Sequence, residues 1–209
     1  MLRYIIAFCM LTLPAMAEEV VLGLSKDEVA ITTSFDGSDV LIFGAVKRET
    51  PIPDGDPLEV IITVSGPSKA VTVRRKEKRF GIWVNVDAVE IDEAPSFYAV
   101  ATSAPLRDVL NDVEDLRYKI SVPRAIRSVG APMAVQDAGA FTQAIIRIRT
   151  KSDAYQLLEN GVSVDAQTLF QTSIQLPAAL TEGDYKTRIF LTRSGKVISD
   201  YETSIDVKK

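Results

Sequence analysis

The sequence predicts a mainly β protein: an immunoglobulin-like antiparallel sandwich, then short helical segments, then a smaller carboxy-terminal β unit. Three observations predict this. Apolar residues recur at every second position over most of the chain, the period of a strand with one buried face. Turn signals rich in Gly, Pro and Asp separate these runs at short intervals, as in sandwiches of short strands. Only two stretches carry apolar residues at helical spacing instead.

The chain opens with "MLRYIIAFCMLTLPAMA". Arg3 supplies a positive start, Tyr4 to Leu13 an apolar run, and Ala15-Met16-Ala17 a small-x-small cleavage site ahead of Glu18 and Glu19. That pattern predicts a Sec-type signal peptide over residues 1–17. The apolar run falls short of the ~20 residues that a membrane span needs. Cys9 lies inside the run, away from the cleavage site, so a lipoprotein is not indicated; it is also the only cysteine. Once exported, the chain has no thiol and no disulfide, and its core must hold it together.

Residues 18–104 read as the sandwich. "SFDGSDVLIFGAV" (Ser34–Val46) begins with turn chemistry: Gly37 supplies positive φ and Asp36 bonds its own backbone. "VLIFGAV" then reads as a strand buried on both faces, with Gly44 marking a bulge or a close backbone approach. Leu58, Val60, Ile62 and Val64 alternate with Glu59 and Thr63. Phe80, Ile82, Val84 and Val86 form a second stripe, with Trp83 and Asn85 opposite, and Phe97, Ala99 and Ala101 a third.

Residues 105–160 read as helical connections. "PLRDVLNDVEDLRY" (Pro105–Tyr118) predicts one or two short helices, with Pro105 in the first turn and Leu106, Val109, Leu110, Val113 and Leu116 on one face. Ser121–Val135 reads as a linker. "DAGAFTQAIIRIRTKSDAYQLL" (Asp137–Leu158) predicts a longer helix capped by Asp137, burying Ala138, Phe141, Ile145, Ile148 and Tyr155; a strand through "AIIRIR" is the rival. Residues 161–209 read as the last β unit. There Phe170, Thr172, Ile174 and Leu176 alternate, then Tyr185, Thr187, Ile189 and Leu191, then Val197, Tyr201, Ile205 and Val207.

Composition narrows the chemistry. There is no histidine, which removes Ser-His-Asp and Cys-His catalysis, the common zinc sites and the ordinary general base near neutral pH. The net charge of −4 gives no footing for nucleic acid, which calls for a basic face. No cofactor motif is present. Acidic pairs and clusters (Asp36 with Asp39, Asp54 with Asp56, and Asp108, Asp112, Glu114 and Asp115) invite a calcium reading, but none has EF-hand spacing. Ser65, Ser68 and Lys69 sit in a turn, "SGPSK", and "RSGK" (Arg193–Lys196) lacks the spacing of a phosphate loop.

One stretch stands out as a candidate binding surface. "RRKEKRFGIW" (Arg74–Trp83) holds Arg74, Arg75, Lys76, Lys78 and Arg79, five basic residues in six positions, with Trp83 close by. It could meet anionic lipid headgroups or an acidic partner. The plainer and preferred reading is the solvated turn of a hairpin between "AVTV" and "FGIWVNV".

Taken together, "VVLGLSKDEVAITTSFDGSDVLIFGAVKRE", "GIWVNVDAVEIDEAPSFYAVATSAPL" and "LFQTSIQLPAALTEGDYKTRIFLTRSGKVI" resemble the putative transmembrane protein family of alphaproteobacteria, from about Val20 to Val207. The resemblance implies an exported protein with a β-rich periplasmic part at the periplasmic face of the inner membrane and a carboxy-terminal membrane helix, encoded by a gene that often neighbours one for a permease of the sulfite-exporter type. No catalytic residues come with it. The helix it implies is not found here, since no stretch after the leader has the apolar length of a span. The expected function is a non-enzymatic periplasmic accessory of an inner-membrane system, with an inner-membrane protein as partner. A cation- or small-ligand-binding module and a carboxylate-based envelope hydrolase are the alternatives.

Overall fold

The computed structural model describes residues 18–24, 28–30, 37–48, 51–52, 55–128, 135 and 137–208. The expected signal peptide, Cys9, Asp36 and Asp54 lie outside them. In chain order the first elements are β1 (Glu19–Leu24), β2 (Glu28–Ala30), β3 (Ser38–Lys47), β4 (Glu59–Ser65), β5 (Ser68–Arg79), β6 (Ile82–Pro95) and β7 (Tyr98–Thr102). Four helices follow: α1 (Leu106–Val109), α2 (Asp112–Tyr118), α3 (Val122–Ala125) and α4 (Ala138–Lys151). The chain then runs through β8 (Tyr155–Leu158), β9 (Ser163–Asp165), β10 (Leu169–Leu176), β11 (Gly183–Arg193) and β12 (Lys196–Lys208). The protein is mainly β, as its alternation predicted.

The strands make two sheets and a separate arm. One sheet has the order β1-β3-β10-β9 and is antiparallel throughout. The other has the order β2-β12-β11-β4-β7-β8. Its interior pairs are antiparallel, but both edges are parallel: β2 beside β12 and β8 beside β7. The expectation of a purely antiparallel arrangement is corrected at those edges.

The expected division into an early sandwich and a later β unit is corrected too. β3 pairs with β10, and β4 pairs with β11. Each sheet therefore draws strands from both ends of the chain. Neither segment could bury its apolar face alone, so the two halves complete each other's sheets.

Burial explains the strand sequences. Val40, Ile42 and Val46 of β3 with Phe170, Ile174 and Leu176 of β10 meet Val60, Ile62, Ile189, Leu191 and Ile205 of the other sheet in one core. The opposite face of that second sheet is covered by the helices and the base of β6, where Ile61, Tyr98, Val100 and Phe190 meet Val109, Ile120, Ile145 and Ile91. β4 and β7 are thus buried on both faces, which is why "VIITV" and "YAVA" read as near-continuous apolar runs. β10 shows strict alternation because only one of its faces is covered.

Several local expectations need correction. β3 is half-buried, with Leu41 and Phe43 outward, because nothing among the described residues covers the outer face of its sheet. Gly44 marks a close approach rather than a bulge: a Cβ there would lie 2.4 Å from Phe170 Cζ and 2.7 Å from the Val21 carbonyl oxygen. Its register with β1 and β10 is unbroken. α1 and α2 are two helices separated at Leu110-Asn111, and Val113 and Leu116 are exposed while Val109 and Leu110 are buried. α4 forms as expected and buries Phe141 and Ile145, but Ile148 is exposed and Tyr155 belongs to β8. The predicted linker contains α3, and Arg127 bridges to Glu93.

The start of β1 is tied to the body by charge. Glu18 accepts from Arg48 Nε at 2.7 Å and from Arg193 Nη2 at 3.1 Å, and its side chain is 8% exposed. Asn111 caps α2 by accepting from the Glu114 amide at 2.9 Å. Asp115 accepts the Ile120 and Ser121 amides and the Ser121 hydroxyl, which turns the chain from α2 into α3.

Candidate functional site

Between β4 and β7, neighbours in the second sheet, the chain leaves the sheet and returns as the two-stranded arm β5–β6. Its base is pinned to the body. The Gly66 amide donates to the Phe97 carbonyl at 2.9 Å, and the Ser96 amide to the Pro67 carbonyl at 2.8 Å. Glu93 and Arg127 exchange backbone hydrogen bonds of 3.1 and 2.9 Å. The Tyr155 hydroxyl donates to the Pro95 carbonyl at 2.9 Å, and Arg149 donates to the same oxygen.

Halfway along, α4 braces the arm. Arg75 stacks 4.7 Å above the Phe141 ring and pairs with Asp137 at 2.5 Å and Asp87 at 3.4 Å. The hydrogen bond to Asp137 holds the Arg75 guanidinium above its ordinary value. Asp137 stands at the start of α4, as expected, but makes no side-chain cap; its carboxylate goes to Arg75 instead. A cleft of about 390 Å³ opens between arm and helix, lined by Val73, Arg74, Arg75, Lys76, Phe141 and Arg147.

Beyond this brace the arm projects. The Arg75–Asp87 and Lys76–Asn85 pairs flank one extra residue, Val86, which makes a bulge there; a bulge bends and twists the ribbon. The strands end at the Arg79–Ile82 pair, joined by Phe80-Gly81. Both linking residues have positive φ, 49° and 85°, the pattern of a type I′ turn, whose first position favours Asn, Asp or Gly. Phe80 occupies that position with its side chain wholly in solvent. Ile82 is 65% exposed and Trp83, the sole tryptophan, 67%.

The six residues singled out from sequence therefore all lie on this arm. Arg74, Arg75, Lys76, Lys78 and Arg79 lie in the outer half of β5, and Trp83 lies on β6. The expected hairpin is present, but its turn is Phe80-Gly81 rather than the basic run. Lys78 stands directly across from Trp83, Lys76 from Asn85 and Arg74 from Ala88, so three cations share the tryptophan's face. The other face carries the matched charges: Arg75 with Asp87 and Asp137, and Arg79 with Glu77 at 3.3 Å. Among the described residues Arg74, Lys76 and Lys78 make no ion pair.

Phe80 and Ile82 were missed as functional candidates. Their alternation with Val84 predicts a buried face, and that is corrected: no layer among the described residues covers Phe80 or Ile82. The signal that could have found them is the two-residue "FG" between strands, since a large apolar residue in a two-residue hairpin turn has nowhere to pack.

The other candidates are structural. Asp115 is consumed in turning the chain after α2, and Glu114 accepts the Val197 amide. Asp56 accepts from the Ser194 hydroxyl at 2.5 Å. Among the described residues no three metal-ligating side chains group together. "RSGK" is a two-residue turn between β11 and β12, with positive φ at Ser194 and Gly195. Ser65 bonds the neighbouring Gly66 carbonyl at the arm's base.

A β-rich body carrying a braced basic arm defines the class. The family model described as Putative transmembrane protein (Alph_Pro_TM) matches residues 19–209, and the chain belongs to that family. No curated protein matches it. No helix among the described residues is long and apolar enough to cross a membrane.

Proposed function

We propose that this is a non-enzymatic accessory protein, exported to the periplasm, that works with an inner-membrane transport system at the periplasmic face of the membrane. The observation that carries this reading is the β5–β6 arm: a braced ribbon whose Arg74, Lys76 and Lys78 make no ion pair among the described residues and whose tip exposes apolar side chains. A catalytic protein needs convergent reactive groups, whereas the arm offers a row of cations and exposed apolar side chains suited to contact. The body is read as an immunoglobulin-like scaffold that holds the arm. The leader sequence supports export, and the family supports a link to membranes.

Crosslinking in intact cells tests it. The wild-type chain should capture an inner-membrane protein, and the triple variant Arg74→Glu, Lys76→Glu, Lys78→Glu should lose that product. If no membrane protein is captured, or if the charge-reversed arm captures it equally, the accessory reading is wrong.

A further inference from the structure

We infer that the tip of the arm docks into an anionic lipid bilayer, with Phe80, Ile82 and Trp83 entering the interface and Arg74, Lys76 and Lys78 meeting the headgroups. This deepens the reading above, resting on the arm as the contact element and naming what the arm meets.

A type I′ turn favours Asn-Gly, and a bulky residue at φ 49° is strained by the clash of its Cβ with the following carbonyl. Phe80 makes no packing contact that would offset this, since it is fully exposed. A strained, solvated phenylalanine at the outermost point of a braced ribbon breaks a local rule without return to the fold, as functional positions do.

The order along the arm then selects the occupant. Phe80 comes first, then Ile82 and Trp83 beside Lys78 and Arg79, then Lys76 and Arg74, receding in steps of about 7 Å at ~3.3 Å per residue. Apolar tip, interfacial tryptophan and set-back cations follow the depth profile of a bilayer surface: acyl boundary, interface, anionic headgroups. Charge reinforces the orientation. The chain is acidic, at −4, yet in the outer arm, residues 74–87, five cations stand against two acids, Glu77 and Asp87. Such a distribution turns the arm toward a negative surface. An acidic protein groove could satisfy the cations, but it has no use for an apolar tip ahead of them.

Because Trp83 is the only tryptophan, its fluorescence reports on the arm of the whole chain. Mixed phosphatidylglycerol–phosphatidylcholine vesicles at low salt should shift its emission to the blue and shield it from acrylamide. Partition should exceed that onto pure phosphatidylcholine by on the order of 100-fold, the effect of three cations at a negative surface. High salt should erase the preference. Phe80→Asn, which suits the turn and so keeps the arm folded, should weaken partition by about 10-fold or more. Emission unmoved by anionic vesicles would overturn the inference, as would equal partition of Phe80→Asn and wild type. If polyglutamate moves the emission and anionic vesicles do not, the partner is an acidic polypeptide and the lipid assignment fails. In that case the in-cell capture described above still stands or falls separately.

Discussion

Raising the pH should unfold this protein through three buried tyrosines, and the slope can be worked out. Tyr98 donates its hydroxyl proton to the Ile120 carbonyl at 2.8 Å, Tyr155 to the Pro95 carbonyl at 2.9 Å, and Tyr185 to the Thr181 carbonyl at 2.9 Å. Burial raises the pKa of each above 10, most of all by desolvating the phenolate; Arg188 and Arg149 pull Tyr98 and Tyr155 partly back, as Ser96 and Thr181 do Tyr185. An acid whose native pKa is raised keeps its proton in the folded state after the unfolded chain has lost it. Its contribution is intact below the unfolded value of about 10 and is lost as the pH climbs toward the native value. Each tyrosine then removes about 1.4 kcal/mol per pH unit, so the three together remove about 4. Urea unfolding between pH 8 and about 11, with tyrosinate absorbance followed in parallel, reads this directly. The test is comparative: Tyr98→Phe, Tyr155→Phe and Tyr185→Phe should each flatten the alkaline slope by about 1.4 kcal/mol per pH unit. Each should also cost about 1–2 kcal/mol at neutral pH, where a buried carbonyl loses its donor. If the single variants keep the wild-type slope, burial does not control these groups and the reasoning fails.

Other outcomes follow from packing and turns. Gly44→Val should destabilise by about 2 kcal/mol or more, because its side chain must displace the Phe170 ring and the β1 backbone; thermal unfolding should show a drop of several degrees. Glu18→Ala strands the Arg48 and Arg193 guanidinium groups beside one another and should cost about 3 kcal/mol in urea unfolding. Asn111→Ala removes the α2 cap and should cost about 1 kcal/mol. Phe80→Asn should do the reverse, protecting the Arg79 and Ile82 amides from hydrogen exchange by up to about 1 kcal/mol.

How much of this was legible depended on whether a signal was local. β10 could be read residue by residue, because its alternation records which face meets the core; β11 alternates only in its first half, since Ile189–Thr192 are buried on both faces. α4 (Ala138–Lys151) was legible for the same reason at a different period, although the predicted helix ran on to Leu158, where the chain forms β8. Pairing was not. Nothing near Val40 or Ile42 encodes that their neighbour is the strand of Thr172 and Ile174, so two interleaved halves looked like two units. The parallel edges β2 and β8 have three and four residues, too few to show a period. The arm misled in a more specific way. Ile82 and Val84 alternate just as core residues do, and alternation cannot tell a stripe facing a core from one facing water. What separates them is the strand opposite, and opposite Ile82 and Val84 stand Arg79 and Glu77.

That same comparison divides the candidate site into parts with different roles. Arg75 looked like one cation among five, but it carries two carboxylates and a phenylalanine ring and joins the arm to α4. Removing it would loosen the arm whatever the arm contacts. Arg74, Lys76 and Lys78 touch no acid among the described residues, yet they lie on one face with Trp83. Strand alternation sorts a uniform run of charge into a face that holds the arm and a face that is left to meet something else. A solvated turn would not need that sorting, and it would place Asn or Gly where this chain places Phe80. The basic run is therefore better understood as two interdigitated sets, and only the set on the tryptophan's face should govern binding.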